Sequence, residues 1–245
     1  MKDSVFKIMN NRQIADKTWR MELEGDTSAL TRGGQFVDIA LEGRFLRRPF
    51  AAQKWDGSSM TIIYKTVGEG TIEMTRLEEG CELDILTGLG NGFDPDACKS
   101  GALIACGGLG ASPAFTLAKE LIASGKKVTA ILGFNKSDEI ILAQEYEALG
   151  AETRIVTLDG STGIKGFVTD AIRELDAEFD YFYTCGPKVM MKAVCDMMTI
   201  PGEASLEERM GCGCGICYGC TCRTAKGPRR ICADGPVFKK EDIIW

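Results

Sequence analysis

Cysteine is concentrated in one short stretch near the carboxyl end of the sequence. Five cysteines fall within eleven residues and a sixth follows: they are Cys212, Cys214, Cys217, Cys220, Cys222 and Cys232. A chain of 245 residues can bury a core without disulfide staples, so thiolates this crowded are better explained as ligands of a soft metal centre. The spacing C-x4-C-x2-C, with one more cysteine after eleven intervening residues, is the plant-type pattern of a [2Fe–2S] cluster. It predicts a cluster on Cys212, Cys217, Cys220 and Cys232, and a chain that carries single electrons.

The same stretch leaves two alternatives open. Glycines alternate with the thiols, and glycine lets a loop wrap a cluster and bring backbone N–H groups near the sulfurs. A structural zinc site held by four cysteines fits less well, because zinc sites favour two C-x2–4-C knuckles separated by a longer loop. Cys214 and Cys222 are surplus to four ligands, and a four-iron cluster that uses one of them is the second alternative.

Composition excludes several classes of chemistry. The net charge of −6 argues against nucleic acid or an anionic membrane surface as the partner. The sequence has no apolar run of membrane-spanning length and no secretory leader, and eleven cysteines then indicate a reducing compartment, the cytoplasm. Histidine is absent, which excludes His-ligated zinc, a Rieske centre and His-dependent catalytic triads. Bound cofactors are therefore expected to supply the chemistry.

The sequence divides into three segments with different hydrophobic patterns. Residues 1–98 contain short alternating runs with turn residues between them, which predict a small antiparallel β-barrel or sandwich; of these two we predict the barrel. The expected strands are 4–10, 18–24, 35–41, 60–65 and 81–87. Residues 99–203 alternate strand and helix patterns, which predict a doubly wound parallel sheet with helices on both faces. Its expected strands are 102–106, 128–133, 152–157 and 181–184, and its expected helices are 113–124, 139–149 and 168–175. Residues 204–245 form a small cysteine-rich domain.

Two glycine motifs fall at strand ends of the α/β segment. Gly107, Gly108 and Gly110 follow a buried strand and open a helix, where backbone N–H groups can meet a phosphate. The motif departs from the standard dinucleotide fingerprint, and tight packing alone also explains such a turn. The run Cys185-Gly186-Pro187 ends a later strand, and strand ends of an open α/β sheet line the ligand crevice.

The β-rich half carries two weaker signals. In the run R-R-P-F-A at 47–51, an arginine can clamp a pyrophosphate and Phe50 can lie against a flat ring. The run G-E-G-T at 68–71 can present N–H groups to a phosphate. Each signal alone is equally typical of a solvated charge or an ordinary turn.

Taken together, these motifs resemble the ferredoxin–NADP reductase superfamily over essentially the whole chain. The tail is similar to the electron-transfer subunits of class 1B dihydroorotate dehydrogenases. The similarity rests on E-R-M-G-C-G-C-G-I-C-Y-G-C at 208–220 and C-A-D-G-P-V-F at 232–238, with R-R-P at 47–49 and G-N-G-F-D at 90–94. The tail signature is the most discriminating of these.

The resemblance implies a role for each motif. FAD would bind Arg48, Pro49, Phe50, Ala51, Ile63, Tyr64, Lys65, Gly70 and Thr71. NAD(H) would bind Gly107, Gly108, Gly110, Cys185, Gly186 and Pro187, and the cluster the four cysteines above. Ala51 departs from the family, which usually has Ser or Thr there near the flavin. Hydride transfer needs stacking and orientation rather than an acid or base, so no catalytic side chain is expected.

The resemblance also implies partners. The electron acceptor or donor would be the FMN of a separate dihydroorotate dehydrogenase catalytic subunit, in a heterotetramer with two copies of each chain. NAD is favoured over NADP, since Lys136 stands beside Asp138 and Glu139 where a 2′-phosphate would need free cations. Two rivals are a flavin/iron–sulfur subunit of a ferredoxin-linked transhydrogenase or hydrogenase, and a zinc-bearing binding module without redox activity.

Overall fold

The first hundred residues close into a six-stranded antiparallel barrel. A computed structural model describes residues 1–245. The barrel strands are β1 (Lys2–Ala15), β2 (Thr18–Glu24), β3 (Phe36–Ile39), β4 (Arg48–Trp55), β5 (Ser59–Lys65) and β6 (Glu82–Leu89), with helix α1 (Glu69–Met74) between the last two. Their order around the barrel is β1-β2-β5-β4-β3-β6. Alternate side chains such as Phe6, Met21 and Ile62 point inward and fill the barrel, as the alternating pattern predicted.

Strand β4 is the one barrel strand that the sequence pattern did not predict. Its residues do not alternate, and Pro49 near its start cannot donate to a ladder. It nevertheless pairs with β3 and β5, with Pro49 opposite Asp38 and Ala52 opposite Ile62. Residues 48–51 of the motif therefore lie on a paired strand, and Arg47 lies directly before it.

The α/β segment forms a sheet flanked by helices on both faces, which confirms the predicted fold class. Its elements are β7 (Gly101–Gly107), α2 (Pro113–Ala123), β8 (Lys127–Phe134), α3 (Ala143–Ala148), β9 (Glu152–Thr157), β10 (Ile164–Lys165), α4 (Val168–Arg173), β11 (Tyr181–Cys185), α5 (Lys188–Met197) and β12 (Gly202–Ser205). The six strands are parallel, in the order β10-β9-β8-β7-β11-β12. Helices α2 and α3 pack on one face, and α4 and α5 on the other.

One expected helix begins later than predicted. The pattern placed a helix over 139–149, but the helix starts at Ala143. Ile140 is extended and Leu142 adopts a left-handed conformation with φ of 62°, so neither can continue a helical turn. Both Ile141 and Leu142 are buried, which explains why the apolar pattern extended too far.

The tail contributes to the same sheet. Its elements are β13 (Thr221–Thr224), β14 (Gly227–Arg230), α6 (Ile231–Asp234) and β15 (Val237–Lys239). Strands β13 and β14 form a hairpin, while β15 pairs antiparallel with β12 at the sheet edge. Strand β12 itself runs across the boundary expected between residues 203 and 204.

The barrel is joined to the tail by hydrogen bonds at one asparagine. Asn91 Nδ2 donates to the carbonyl of Val237 (2.8 Å), and the Val237 N–H donates back to Asn91 Oδ1 (3.1 Å). The Asn91 N–H also donates to the carbonyl of Gly235 (2.7 Å). The barrel, the sheet and the tail therefore pack as one body. No helix is both long and apolar enough to cross a membrane.

Candidate functional site

A cleft of about 1190 Å³ opens at the carboxyl ends of the parallel strands. Its floor is formed by the glycine turns after β7 and β11, so Gly107, Gly108, Gly110, Gly186 and Pro187 all line one cavity. A Cβ on Gly110 would collide with the carbonyl of Cys185. A Cβ on Gly186, whose φ is 145°, would lie 2.8 Å from the Gly107 nitrogen. The two turns thus pack backbone against backbone, which leaves the space above them free for a ligand.

Cys185 lies beneath this floor. Its side chain is buried beside Cys106 of the neighbouring strand, and burial raises the pKa of the Cys185 thiol well above its usual value. Glu207, two residues after β12, lines the cleft above it, and desolvation raises the pKa of that carboxyl. No local sequence signal marks Glu207, because its position depends on the pairing of β12 with β11.

On the barrel, the structure brings Arg48 and Gly70 together. A Cβ on Gly70, the second residue of α1, would lie 2.7 Å from Arg48 Nε, so glycine gives the guanidinium room to pack on the first turn of the helix. Arg48 Nη1 donates to the carbonyl of Leu46 (2.6 Å). Thr71 Oγ1 accepts the N–H groups of Val67 (2.9 Å) and Gly68 (3.1 Å), which fixes the shape of the turn. An arginine and a rigid turn rich in N–H groups suit a diphosphate.

The other residues expected at the flavin divide between buried and open positions. Tyr64 is fully buried in the barrel, where its hydroxyl donates to Asn11 Oδ1 (2.9 Å), and burial raises its pKa to about 12. Ile63 points the other way, into the core beneath the sheet. Phe50 packs against Tyr64 with ring centroids 5.8 Å apart, and it stays half-buried with Pro49 and Ala51. Side chains of β4 are therefore accessible to a flavin ring. On β5 the side chains of Ile63 and Tyr64 are buried, so only the backbone of these two residues could contact the flavin.

Lys65, at the end of β5, connects the barrel to the cleft. It lines the cavity, and its Nζ lies 3.4 Å from Glu139 Oε1 on the opposite wall. Asn135 Nδ2 donates to the other oxygen of that carboxylate (2.8 Å). The Lys65–Glu139 ion pair therefore lies where the nucleotide cleft meets the barrel surface predicted to bind flavin.

The four cysteines predicted as ligands lie in two pairs. Cys212 Sγ accepts the N–H groups of Ile216 (3.2 Å) and Cys217 (3.4 Å). Burial opposes ionisation of Cys212, but N–H donors from Cys217 and Cys214 outweigh it and lower its pKa to about 6. In the second pair, Cys220 Sγ lies 3.2 Å from Cys232 Sγ and accepts the Cys232 N–H (3.4 Å).

This donor set fits a binuclear cluster. In a [2Fe–2S] cluster each iron takes two thiolates, which two cysteine pairs can supply. Glycine keeps the loop close to one of these sulfurs, because a Cβ on Gly211 would lie 3.2 Å from Cys217 Sγ. Cys214 lies beside Cys212, and Cys222 lines the nucleotide cleft.

Comparison with known proteins decides the family. The iron–sulfur cluster binding domain of dihydroorotate dehydrogenase B matches residues 207–244, and an oxidoreductase NAD-binding domain matches residues 104–196. The dihydroorotate dehydrogenase B (NAD(+)) electron transfer subunit of Bacillus pumilus is 40% identical, over 99% of this chain and 98% of its own length. The subunit of the same name from Fusobacterium nucleatum is 41% identical, over 99% of both chains.

This chain belongs to the family of dihydroorotate dehydrogenase B electron transfer subunits. Among solved structures, a chain of an NADH-dependent reduced ferredoxin-NADP oxidoreductase superposes with a TM-score of 0.90 at 28% identity, covering 98% of this chain and 90% of that one. A ferredoxin NADP+ reductase from Neisseria gonorrhoeae shares the fold at a TM-score of 0.68 and 17% identity, over 80% of this chain and 92% of its own.

Membership of the electron transfer subunit family confirms the predicted cofactor set of FAD, a [2Fe–2S] cluster and NAD(H). The ferredoxin-linked rival has a structural counterpart at 28% identity, but whole-chain identity of 40–41% favours the dihydroorotate dehydrogenase family. The assignment of individual side chains to the cofactors stays a prediction.

Proposed function

We propose that this chain passes electrons between NAD(H) and the FMN of a dihydroorotate dehydrogenase catalytic subunit, by way of FAD and the cluster. The observation that carries the proposal is that residues from all three parts of the chain line one cleft. Lys65 from the barrel, Gly108 from the nucleotide turn and Cys222 from the cluster hairpin all line it. We infer that the flavin lies between the nucleotide and the cluster, because it is the group that exchanges electrons with both.

Each part of the chain has a defined task in this proposal. Bound FAD supplies two-electron exchange with the nicotinamide and one-electron exchange with the cluster. Gly107, Gly110 and Gly186 hold the nucleotide against the sheet by leaving room for it. Arg48 and the turn at Gly70 hold the flavin diphosphate, and β4 orients the ring. Cys212, Cys217, Cys220 and Cys232 ligate the irons. No side chain is required to move a proton during hydride transfer.

We propose that the catalytic subunit docks on the loop that holds the cluster. Ile216 is 78% exposed and Tyr218 is 64% exposed, and they flank Cys217, which is itself exposed. Tyr218 is held outward in a left-handed conformation (φ 59°), with the Arg230 guanidinium 5.0 Å from its ring centroid. Two exposed apolar side chains around a cluster ligand suit a partner that must approach closely. A heterotetramer of two chains of each kind, in the cytoplasm, is the assembly proposed.

The docking surface predicts the effect of one substitution. Ile216→Asp should weaken association with the catalytic subunit about tenfold or more, because a charge would be buried at the contact. Isothermal titration calorimetry with the purified catalytic subunit measures the dissociation constant of the complex. Met9→Asp, an exposed apolar position on the outer face of β1, is the matched control and should bind normally. Equal affinity of the Ile216 variant and the parent chain would contradict this docking site.

We propose that the adenosine half of NAD lies at the β9 and α4 end of the cleft. Phe167 is 65% exposed there beside Leu158, and both line the cavity. Asp159 follows directly, as an acidic residue that can accept a hydrogen bond from a ribose hydroxyl. Lys136 Nζ is already bound to Asp138 (2.8 Å) and Asp16 (3.6 Å), so it is not free for a 2′-phosphate. These contacts favour NAD over NADP.

Removal of the Phe167 ring tests the position of the adenine. Phe167→Ala should raise KM for NADH about two- to tenfold with kcat nearly unchanged, since a stacked aromatic pair contributes about 0.5–1.5 kcal/mol. The N–H of Phe167, which donates to Asp170 Oδ2 (2.9 Å), is retained in the variant. Phe45→Ala, at a fully exposed site on the barrel, is the control. A lowered kcat with an unchanged KM would refute this placement.

The whole proposal is tested on the chain purified with whatever binds it. Absorbance and electron paramagnetic resonance are recorded before and after addition of NADH and, separately, dihydroorotate. We expect a flavin spectrum with acid-labile sulfide and iron, and reduction by both compounds. Reduction by NADH but not by dihydroorotate, with ferredoxin as the co-purifying partner, would instead support the transhydrogenase alternative.

A further inference from the structure

One face of the β13–β14 hairpin is open to solvent. Residues directly opposite each other in an antiparallel pair share a face, and this face carries Thr221, Arg223, Pro228 and Arg230. The first three of these side chains are exposed, and the fourth is half-buried. The opposite face carries Cys222, which packs against the core, and Thr224, which is buried. The fold therefore uses one face of the hairpin for packing and leaves the other without a partner.

The open hairpin face is continuous with the loop that holds the predicted cluster ligands. Thr221 Oγ1 donates to the carbonyl of Tyr218 (2.7 Å). Arg230 Nη1 donates to the carbonyl of Gly215 (2.8 Å), and its guanidinium lies over the Tyr218 ring. The exposed side chains of Ile216 and Tyr218 therefore adjoin this face. We call the hairpin face and these two side chains together the tail surface.

The charge on this part of the chain has the opposite sign to the net charge of the chain. Residues 209–230 contain five basic side chains and no acidic one, although the whole chain has 29 basic and 35 acidic residues. Two of the five, Lys226 and Arg230, are each paired with a carboxylate of the tail. Arg223 is exposed and forms no ion pair. The tail surface thus presents a free positive charge beside exposed apolar side chains.

We propose that the tail surface binds an acidic face of the catalytic subunit, and that this charge pairing steers the two chains together. An apolar centre with a polar rim is the usual anatomy of a protein–protein interface, and Ile216 and Tyr218 supply the centre while Arg223 and Arg230 supply the rim. Because the rest of the chain is net acidic, an acidic partner is attracted to this surface and repelled elsewhere. The inference rests on the proposed function and adds to it the charge of the partner.

The test measures the association rate constant of the FAD- and cluster-loaded chain with the purified catalytic subunit, by anaerobic stopped-flow. Between about 0.02 M and about 0.5 M NaCl, the rate constant of the parent chain should fall about tenfold or more. The reason is that the Debye length shrinks from about 20 Å to about 4 Å, which screens the attraction before contact.

Reversal of one charge on the tail surface supplies the second measurement. Arg223→Glu should lower the rate constant at low salt about fivefold or more and weaken its dependence on salt, and Arg223→Gln should have a smaller effect of the same sign. Lys119→Glu is the matched control, because it makes the same change of charge at an exposed position of α2, on the other face of the nucleotide-binding sheet from the tail. It should change the rate constant less than about twofold.

The outcomes separate this inference from the proposed function. Iron, sulfide and flavin contents confirm that each variant carries its cofactors. A parent rate constant that does not depend on salt, or equal rate constants for Arg223→Glu and the parent chain, would overturn the inference, while Ile216→Asp still tests docking on the cluster loop. Binding to phosphatidylserine vesicles or to duplex DNA that Arg223→Glu abolishes, with association with the catalytic subunit unchanged, would also overturn it. Absence of iron from the parent chain would instead count against the proposed function.

Discussion

Cys217→Ser should abolish electron transfer between this chain and its catalytic partner. Cys217 is the exposed member of the first thiol pair, so its replacement removes a ligand with little effect on the core. With one of four thiolates lost, we expect the [2Fe–2S] cluster to be absent or unstable, and dihydroorotate-linked reduction of NAD+ to fall by about 100-fold or more. Reduction of bound FAD by NADH should persist, because the nucleotide cleft and the barrel are not altered.

The surplus cysteines supply the matched controls for this experiment. Cys214→Ser and Cys222→Ser each remove a thiol from the same loop region without removing a predicted ligand. Both should retain iron, sulfide and the electron paramagnetic resonance signal. Loss of the cluster from Cys214→Ser with retention in Cys217→Ser would show that the ligand set derived from the spacing is wrong.

Arg48→Ala should produce a chain that no longer retains FAD on purification. A hydrogen bond to a charged group contributes about 1.5–3 kcal/mol, so loss of one or more such bonds to the diphosphate corresponds to roughly ten- to hundredfold weaker binding. Flavin fluorescence after gel filtration, with titration of FAD into the stripped chain, gives the affinity. The cluster should remain, since Arg48 does not contact its loop through any hydrogen bond.

Arg44→Ala provides the comparison for Arg48. Arg44 lies in the loop that leads into β4, four residues before Arg48, but its guanidinium binds the carboxylates of Glu69 and Glu73 on α1. Its removal changes the charge equally and should leave FAD bound. Equal loss of FAD from both variants would mean that the overall charge of this loop matters, rather than the position of Arg48 against Gly70.

Local sequence signals predicted the parts of the site that are contiguous in the chain. Three of the four predicted cluster ligands, Cys212, Cys217 and Cys220, lie within one loop, as does the glycine turn after β7, so each pattern reports a local constraint. The alternating runs predicted five of the six barrel strands. Strand β4 escaped because Arg48, Pro49 and the residues after them show no alternation, and its place depends on partners in β3 and β5.

Other site features depend on contacts between distant parts of the chain, which periodicity does not report. Asp38 reads as an ordinary strand residue until the cluster loop, 175 positions later, closes over it. Glu207 and Phe167 enter the cleft only because parallel strands align their carboxyl ends. The start of α3 was misplaced because burial of Ile141 and Leu142 resembles a helical face, whereas the left-handed backbone of Leu142 interrupts it.

The pairing of β15 with β12 has a mechanical consequence. Because the last strand of the tail completes the edge of the nucleotide-binding sheet, and Asn91 fastens that strand to the barrel, the irons cannot be carried on a swinging arm. The distance over which an electron tunnels between the proposed flavin and cluster sites is then set by the fold. No domain movement within the chain is needed to bring the two sites together. The encounters that depend on diffusion are then those with NAD(H) and with the catalytic subunit.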